Sequence, residues 1–397
     1  MVAGLVQMVA SGAFVLSSEG EGRGVSRDRF APAHCPRLIV KIGSSLLVDA
    51  GGAVRRDWLA SVVADIAARR AAGQAVAVVS SGAIALGAKR LALAKGGRAS
   101  LEDAQAAAAV GQIALSAAWS ELFAASGLTA AQVLLTLDDL EDRRRYLNVS
   151  ATLDRLLALG VVPVINENDT VATTEIRLGD NDRLAARVAQ AAGAAGVILL
   201  SDVDGLYTGN PGRDPGAVLV REVTVIDAGI EAMADGGSGS GLGSGGMASK
   251  VAAARIATAA GIHLAIADGR VANPLARYAA TGLGTVFVAG EGARAKKAWL
   301  AGRMTVKGTL TIDDGAAAAL RRGKSLLAAG VTGVEGSFAR GDVVAVQAGG
   351  GVIGRGLAAY DAPDALAIMG LRNEAQARVL GYAPRAAMVH ADHLVLL

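Results

Sequence analysis

The chain has 397 residues but only one cysteine, four histidines and 3% aromatic residues. A lone cysteine, Cys35, excludes a disulfide framework and any zinc site built from several thiolates, and it suits a reducing compartment. His34, His263, His390 and His393 are scattered without metal-ligand spacing. With so few aromatics the core must be built from Ala, Val, Leu and Ile. An excess of one charge is missing too. Lys and Arg number 39 against 36 Asp and Glu, a balance of +3 that does not make the whole chain a nucleic-acid binder. No apolar run approaches the roughly 18–20 residues needed to span a bilayer. Met1–Leu16 is fairly apolar but lacks the basic start of a signal peptide, so a cytoplasmic protein is expected.

What is present is a globular composition. Hydrophobic residues make up 52% and charged residues 19%, which excludes wholesale disorder. The length suggests two domains. Residues 1–36 show no periodicity, are rich in Gly, Ser and Arg around Ser17–Asp28, and are expected to form a disordered extension. From Arg37 short apolar runs alternate with Ala- and Leu-rich stretches. The runs Leu38–Ile42, Ala75–Val79, Gln132–Leu135, Val161–Ile165, Val197–Leu200, His263–Ala267 and Thr285–Val288 read as strands buried on both faces. Between them Arg56–Ala71, Ala104–Ala125, Arg144–Leu159, Asp182–Ala192 and Met247–Ala260 read as helices. Such alternation predicts an α/β domain over 37–292: an open, mainly parallel sheet sandwiched by helices. Thr170–Arg177 and Val218–Val225 look like exposed hairpins added to it. A connector, 293–306, leads to a small β-rich domain over 307–385 and a terminal strand or tail at 386–397. From Ala293 onward 13 basic and 8 acidic residues give +5, so the positive charge belongs to this tail domain.

Ligands on open α/β sheets bind beyond the carboxyl ends of the strands. Four strands here run into small polar turns: Lys41-Ile42-Gly43-Ser44-Ser45, Ser80-Ser81-Gly82-Ala83, Asn166-Glu167-Asn168-Asp169 and Ser201-Asp202-Val203-Asp204-Gly205. One such turn is ordinary, but four on one edge point to a site. Lys41 is one of eight lysines against 31 arginines. Followed by Gly-Ser-Ser, it either snorkels from a strand end or neutralises a phosphate beside backbone N–H groups. Gly241–Lys250 has G-x-G-x-x-G spacing, yet it follows a Gly/Ser stretch rather than a strand, so a dinucleotide fingerprint fails its context. It is either a flexible linker or a phosphate loop whose helix carries Lys250 in its first turn, where a bound anion would offset the helix dipole. Gly179-Asp180-Asn181-Asp182 caps a helix and adds a carboxylate able to hold two lysines. Glu141–Arg145 reads as a solvated helix start, and His390 and His393 as surface residues.

Taken together these loops resemble the amino-acid kinase family, and within it the members that phosphorylate glutamate. The likeness rests on Val40–Ser45, Ser80–Ile84, Glu141-Asp142-Arg143 with Tyr146-Leu147-Asn148, Val162–Asp169, Gly179–Asp182, Gly205–Thr208 and Gly241–Lys250. Val-Pro-Val-Ile-Asn-Glu-Asn-Asp is the most specific of these. The tail from about Gly308 to Pro384 resembles a β-barrel-like PUA domain. Ser80, Ser201 and Ser249 stand where the family often has threonine, which keeps the hydroxyl. The resemblance implies ATP-dependent phosphorylation of the γ-carboxylate of L-glutamate, the first step of proline synthesis, with Mg²⁺ on the nucleotide. It implies that Lys41 and Lys250 act on the transferring phosphate and that Asp182 organises them. Ser81, Asp169, Asn181 and Asn166 would hold glutamate. Lys41, Gly43, Ser44, Ser201 and Asp202 would contact the nucleotide, as would Ser244, Gly245, Gly246, Met247, Ala248, Ser249 and Lys250. It further implies a homo-oligomer, dimer or tetramer, proline as feedback inhibitor, and coupling to a glutamyl phosphate reductase.

The chemistry agrees with the residue set. A glutamate carboxylate, pKa about 4.3, is ionised at neutral pH and needs no general base, so no histidine is required. The alternatives are a related carboxylate or nucleotide kinase of the same fold, and RNA binding through the tail. The +5 balance permits the latter, but Phe338 and Tyr360 stand alone rather than interleaved with basic residues.

Overall fold

A computed structural model describes residues 14–16, 27–171, 180–235, 246–290 and 306–396. The chain divides into two compact units, one of Met1–Leu140 with Val149–Gly292, the other of Glu141–Asn148 with Ala293–Leu397. In chain order the elements up to Phe287 are β1 (Phe14–Leu16), β2 (Arg37–Ile42), α1 (Ser44–Leu47), α2 (Arg56–Ala71), β3 (Ala75–Ser80), α3 (Ala83–Arg90), α4 (Leu101–Ala125), β4 (Ala130–Leu135), α5 (Leu137–Glu141), α6 (Arg143–Ala158), β5 (Val162–Glu167), α7 (Asp180–Ala191), β6 (Gly196–Ser201), β7 (Val220–Val223), α8 (Ala228–Asp235), α9 (Met247–Ala259), β8 (His263–Asp268), α10 (Pro274–Thr281) and β9 (Thr285–Phe287).

The strands form one sheet in the order β1-β7-β9-β8-β6-β2-β3-β5-β4. All pairings from β8 through β4 are parallel. The other edge departs from this: β9 runs antiparallel to β8, and β1 antiparallel to β7. The central strands β2, β3 and β6 are buried on both faces, which is why they read as continuous apolar runs. The chain leaves β2 toward β3 on one side and returns to β6 on the other. The sheet therefore changes direction between β2 and β6, with Lys41 and Ser201 at the carboxyl-terminal ends of these strands. Of the two expected hairpins, Val218–Val225 contains the sheet strand β7, with Val220 and Val223 buried and a parallel pairing with β9, while Leu219 bridges Tyr207 antiparallel as in a hairpin. Thr170–Arg177 lies outside the described residues from 172 onward.

The expected disorder of residues 1–36 does not hold where the structure describes them. Phe14–Leu16 pairs with β7. Phe30 and Cys35 are fully buried. Their carbonyls accept hydrogen bonds from Gln74 Nε2 at 3.1 and 2.6 Å, and Phe30 O also accepts from Arg69. A Cβ on Gly196 would lie 2.8 Å from the Phe30 ring, so the glycine makes the room. Burial pushes the Cys35 thiol up to about 12, which leaves it a packing residue rather than a reactive one.

Helix α4 bears on the membrane expectation without overturning it, since 44% of its apolar window is buried inside the protein. By length and composition it is apolar enough to cross a bilayer, with no charge from Ala104 to Ser120. Ser100 caps its start by accepting from Asp103 N. Its inner face packs on α3 through two glycines: a Cβ on Gly87 would sit 1.8 Å from Ala107 O, and one on Gly111 would sit 1.8 Å from Ala83 O. Replacing Gly111 by alanine is therefore expected to lower stability by about 1–3 kcal/mol or more, since the backbones must part. Urea unfolding midpoints of the two proteins check this.

In the second unit β10 (Gly308–Ile312), β11 (Val331–Gly336), β12 (Val343–Ala348), β13 (Gly351–Leu357) and β14 (Leu394–Leu396) form a sheet in the order β11-β10-β12-β13-β14. Helices α11 (Asp314–Arg321), α12 (Ala362–Ile368) and α13 (Asn373–Leu380) complete it. The residues expected as a terminal strand or tail supply the edge strand β14. Phe338 and Tyr360 are buried in this core, so neither offers a ring for base stacking.

Candidate active site

Lys41 leaves the carboxyl end of the central strand β2, and its Nζ lies over Gly43, where a Cβ would be 3.9 Å away. Asp182 lies in the first turn of α7 and Lys250 in the first turn of α9. These three are far apart in sequence, and the fold brings them into contact. Lys41 Nζ is 2.5 Å from Asp182 Oδ1, and Lys250 Nζ donates to Asp182 Oδ2 at 3.1 Å. All three are buried, with 6%, 0% and 5% of their surfaces exposed. Burial alone would raise the Asp182 carboxyl, but Lys41 and Lys250 hold it below the usual carboxylate range. Burial pulls the Lys41 ammonium below the ordinary lysine value, Asp182 pulls the other way, and Lys250 adds to the lowering. Two ammonium groups on one carboxylate leave a net positive charge in a dry place. An anion is the natural complement of such a pocket.

Around this triad the helices begin bare. Helix α3 starts at Gly82 and α9 at Gly246, and neither carries a side-chain cap. Gly82 adopts φ +106, a left-handed conformation that only glycine takes without cost. Uncapped first-turn N–H groups suit phosphate or carboxylate oxygens. Met247, Ala248 and Ser249 lie in the first turn of α9. Ser244 and Gly245 lie outside the described residues. Ser44 opens the short α1 directly after Gly43. Ser201 is buried at the end of β6 and donates to Asp202 Oδ1 at 3.1 Å. Asp202 lies within electrostatic reach of Lys41.

The residues read as the glutamate pocket form a second group. Asn181 Nδ2 donates to Ser81 Oγ at 2.7 Å and to Asn166 Oδ1 at 3.3 Å. Asn181 Oδ1 is buried and has no hydrogen-bond partner among the described residues. Asp169 is buried in the helical turn after β5. Two contacts escaped the sequence. Arg98, whose guanidinium is lowered by burial, feels the charge of Asp169. Asn166 Nδ2 donates to Gln112 Oε1 of α4 at 2.8 Å. Ser80 turns inward and accepts from Trp119 Nε1, so its hydroxyl braces the sheet.

The model of the amino acid kinase family matches residues 36–268, and that of the PUA domain matches residues 308–380. The glutamate 5-kinase of Sphingopyxis alaskensis is 70% identical over 93% of this chain and 99% of its own length. The glutamate 5-kinase of Zymomonas mobilis is 61% identical over 93% of each. The crystal structure of UMP kinase from Ureaplasma parvum aligns with a TM-score of 0.42 at 14% identity, covering 64% of this chain and 98% of that one.

Proposed function

This chain belongs to the amino acid kinase family, and from that premise we propose that it transfers the γ-phosphoryl group of ATP to the side-chain carboxylate of L-glutamate. The product is L-glutamyl 5-phosphate, and the step serves proline synthesis. The observation that carries this reading is the buried Lys41–Asp182–Lys250 triad at the carboxyl edge of the sheet, beside the bare start of α9. It offers positive charge where phosphoryl transfer develops negative charge. The relatives named as glutamate 5-kinases support glutamate as the acceptor.

The donor set fits a nucleotide. Lys41, Gly43, Ser44, Ser201 and Asp202 are proposed to contact the nucleotide, as are Gly246–Lys250 together with Ser244 and Gly245, which lie outside the described residues. Bound there, ATP supplies the phosphoryl group. Lys41 and Lys250 neutralise the oxygens of the group in transit, and Asp182 keeps both ammonium groups aimed and charged. A glutamate carboxylate already ionised attacks without losing a proton, so positioning is the main task. Among the described residues no group of three or more His, Cys, Asp or Glu is disposed to hold a metal. Mg²⁺ is therefore proposed to enter on the phosphates, keeping its waters, as it does where no protein cage exists.

Ser81, Asn166, Asn181 and Asp169 would hold glutamate. Asp169 is the carboxylate suited to the α-ammonium. An Asp169→Asn variant is expected to raise the KM for L-glutamate tenfold or more, with the KM for ATP within about twofold. Equal rises in both would remove Asp169 from this role. Proline as an inhibitor at the same pocket, assembly into a homo-oligomer, a cytoplasmic setting and hand-over of the labile acyl phosphate to a reductase belong to this proposal as well. Hydroxylamine trapping tests the reaction: ATP-dependent hydroxamate from L-glutamate, not from N-acetylglutamate or aspartate, and suppressed by proline, is the expected result. No hydroxamate from any acid, with the fold intact, would overturn it.

A further inference from the structure

We infer that Gln112, in the middle of α4 and outside the reacting groups, is a positioning residue that reserves one acceptor oxygen for the ammonium of the amino-acid substrate. The inference rests on the reading of Ser81, Asn166 and Asn181 as the glutamate pocket.

The direction of each hydrogen bond follows from one fixed point. Asn166 Oδ1 accepts from the backbone N–H of Glu167 at 2.9 Å. A peptide N–H only donates, so this atom of the Asn166 amide must be its oxygen. The other atom, Nδ2, then faces Gln112 at 2.8 Å, and the Gln112 atom it meets must be the acceptor Oε1. Gln112 Nε2 is thereby turned to Ser116 Oγ, one helical turn on, at 3.2 Å. On the opposite side, the Asn181 atom that meets Asn166 Oδ1 must donate, and the same Nδ2 also serves Ser81 Oγ. What is left over is Asn181 Oδ1, a buried acceptor without a partner among the described residues.

A buried polar atom without a partner is costly, and a native pocket keeps one where a ligand completes it. The left-over atom accepts and cannot donate. It therefore suits a substrate N–H donor such as an ammonium and repels a carboxylate. Gln112 is well placed to hold this direction. Its neighbour Gly111 is pressed against Ala83 O of α3, which fixes the α4 backbone beside the pocket. Without an acceptor at position 112, the buried Asn166 Nδ2 loses its partner. The amide is then held in this direction by the Glu167 N–H alone, and as that hold loosens Asn181 can turn to present Nδ2 where the ammonium should bind.

The test is steady-state kinetics on the full chain with L-glutamate, with glutarate (which lacks the amine) and with ATP. Gln112→Leu is expected to raise the KM for L-glutamate about tenfold and to narrow the preference for L-glutamate over glutarate by a similar factor. The KM for ATP and kcat should stay within about twofold. Gln112→Glu, whose carboxylate still accepts from Asn166, is expected to restore parent values. Gln112→Met, close in volume, replaces the leucine variant if that one does not fold. An unchanged KM for L-glutamate, parallel rises in both KM values, or a Gln112→Glu variant as impaired as Gln112→Leu would each overturn the inference. A parent chain that makes no hydroxamate from L-glutamate would instead defeat the reaction assigned above. A parent that makes it, with the leucine and methionine variants unmoved, defeats the role of Gln112 alone.

Discussion

Lys250→Ala is expected to lower kcat by 10²-fold or more while the KM for L-glutamate moves only a few-fold. Lys250 and Lys41 share one carboxylate, so removing Lys250 leaves a neutral Lys41–Asp182 pair where a positive pocket stood. The group in transit would then meet one ammonium group instead of two and no net positive charge. Losing one preorganised donor to a transition-state oxygen costs about 2.7–4 kcal/mol, and each 1.36 kcal/mol is tenfold in rate. Ground-state binding of glutamate draws on other residues, which is why kcat carries the loss. Helix α9 should survive, because alanine is its best former and neighbouring Val251, Ala253 and Ala254 keep it packed. Lys250→Arg is not expected to rescue, since a planar guanidinium does not replace a compact ammonium in so closed a place. Hydroxamate kinetics with a thermal melt as control decides the matter. Turnover near that of the parent would remove Lys250 from the chemistry.

Parts of this architecture were plain in the sequence for physical reasons. Arg56–Ala71 was bounded correctly at both ends, and the five expected helices and the central strands all exist. Long Ala-Leu stretches and short apolar runs are strong local signals. What escaped depends on partners far away. Helix α10 has no cap of its own: Asp65, on α2, accepts from Leu275 N and Ala276 N, about 210 positions along the chain. The segment around Phe30 and Cys35 looks unpatterned because Gln74, Arg69 and Gly196 receive it. Strand β7, with four residues, is held by neighbours from both ends of the domain.

The site divides in the same way. Lys41, Asp182 and Lys250 carry charge and stand at loop or helix starts, so they could be picked out and the family resemblance gave them roles. The fold places them in contact. Gln112 could not be picked out, because an uncharged side chain inside an alanine-rich helix looks like scaffold until its amide is seen facing Asn166.

Asp182→Asn is expected to be as damaging to activity as loss of a lysine, and also to destabilise the fold. Asparagine keeps the shape but removes the charge that holds two buried ammonium groups together. Lys41 and Lys250 already oppose each other, and without the carboxylate nothing offsets that repulsion. Breaking a buried ion pair on one side costs about 3–5 kcal/mol. The pH dependence gives an independent check. The Asp182 carboxyl titrates below its unfolded value of about 3.9. Its contribution is therefore present above that pH and is lost as the pH falls through the lower, folded value. The parent should lose stability on the acid side over that window, and the Asp182→Asn variant should show a flatter acid limb from a lower starting point. Urea unfolding at pH values from neutral downward measures both. Equal acid limbs in parent and variant would mean that the carboxylate does not hold the two lysines, and the catalytic arrangement built on it would fall with that result.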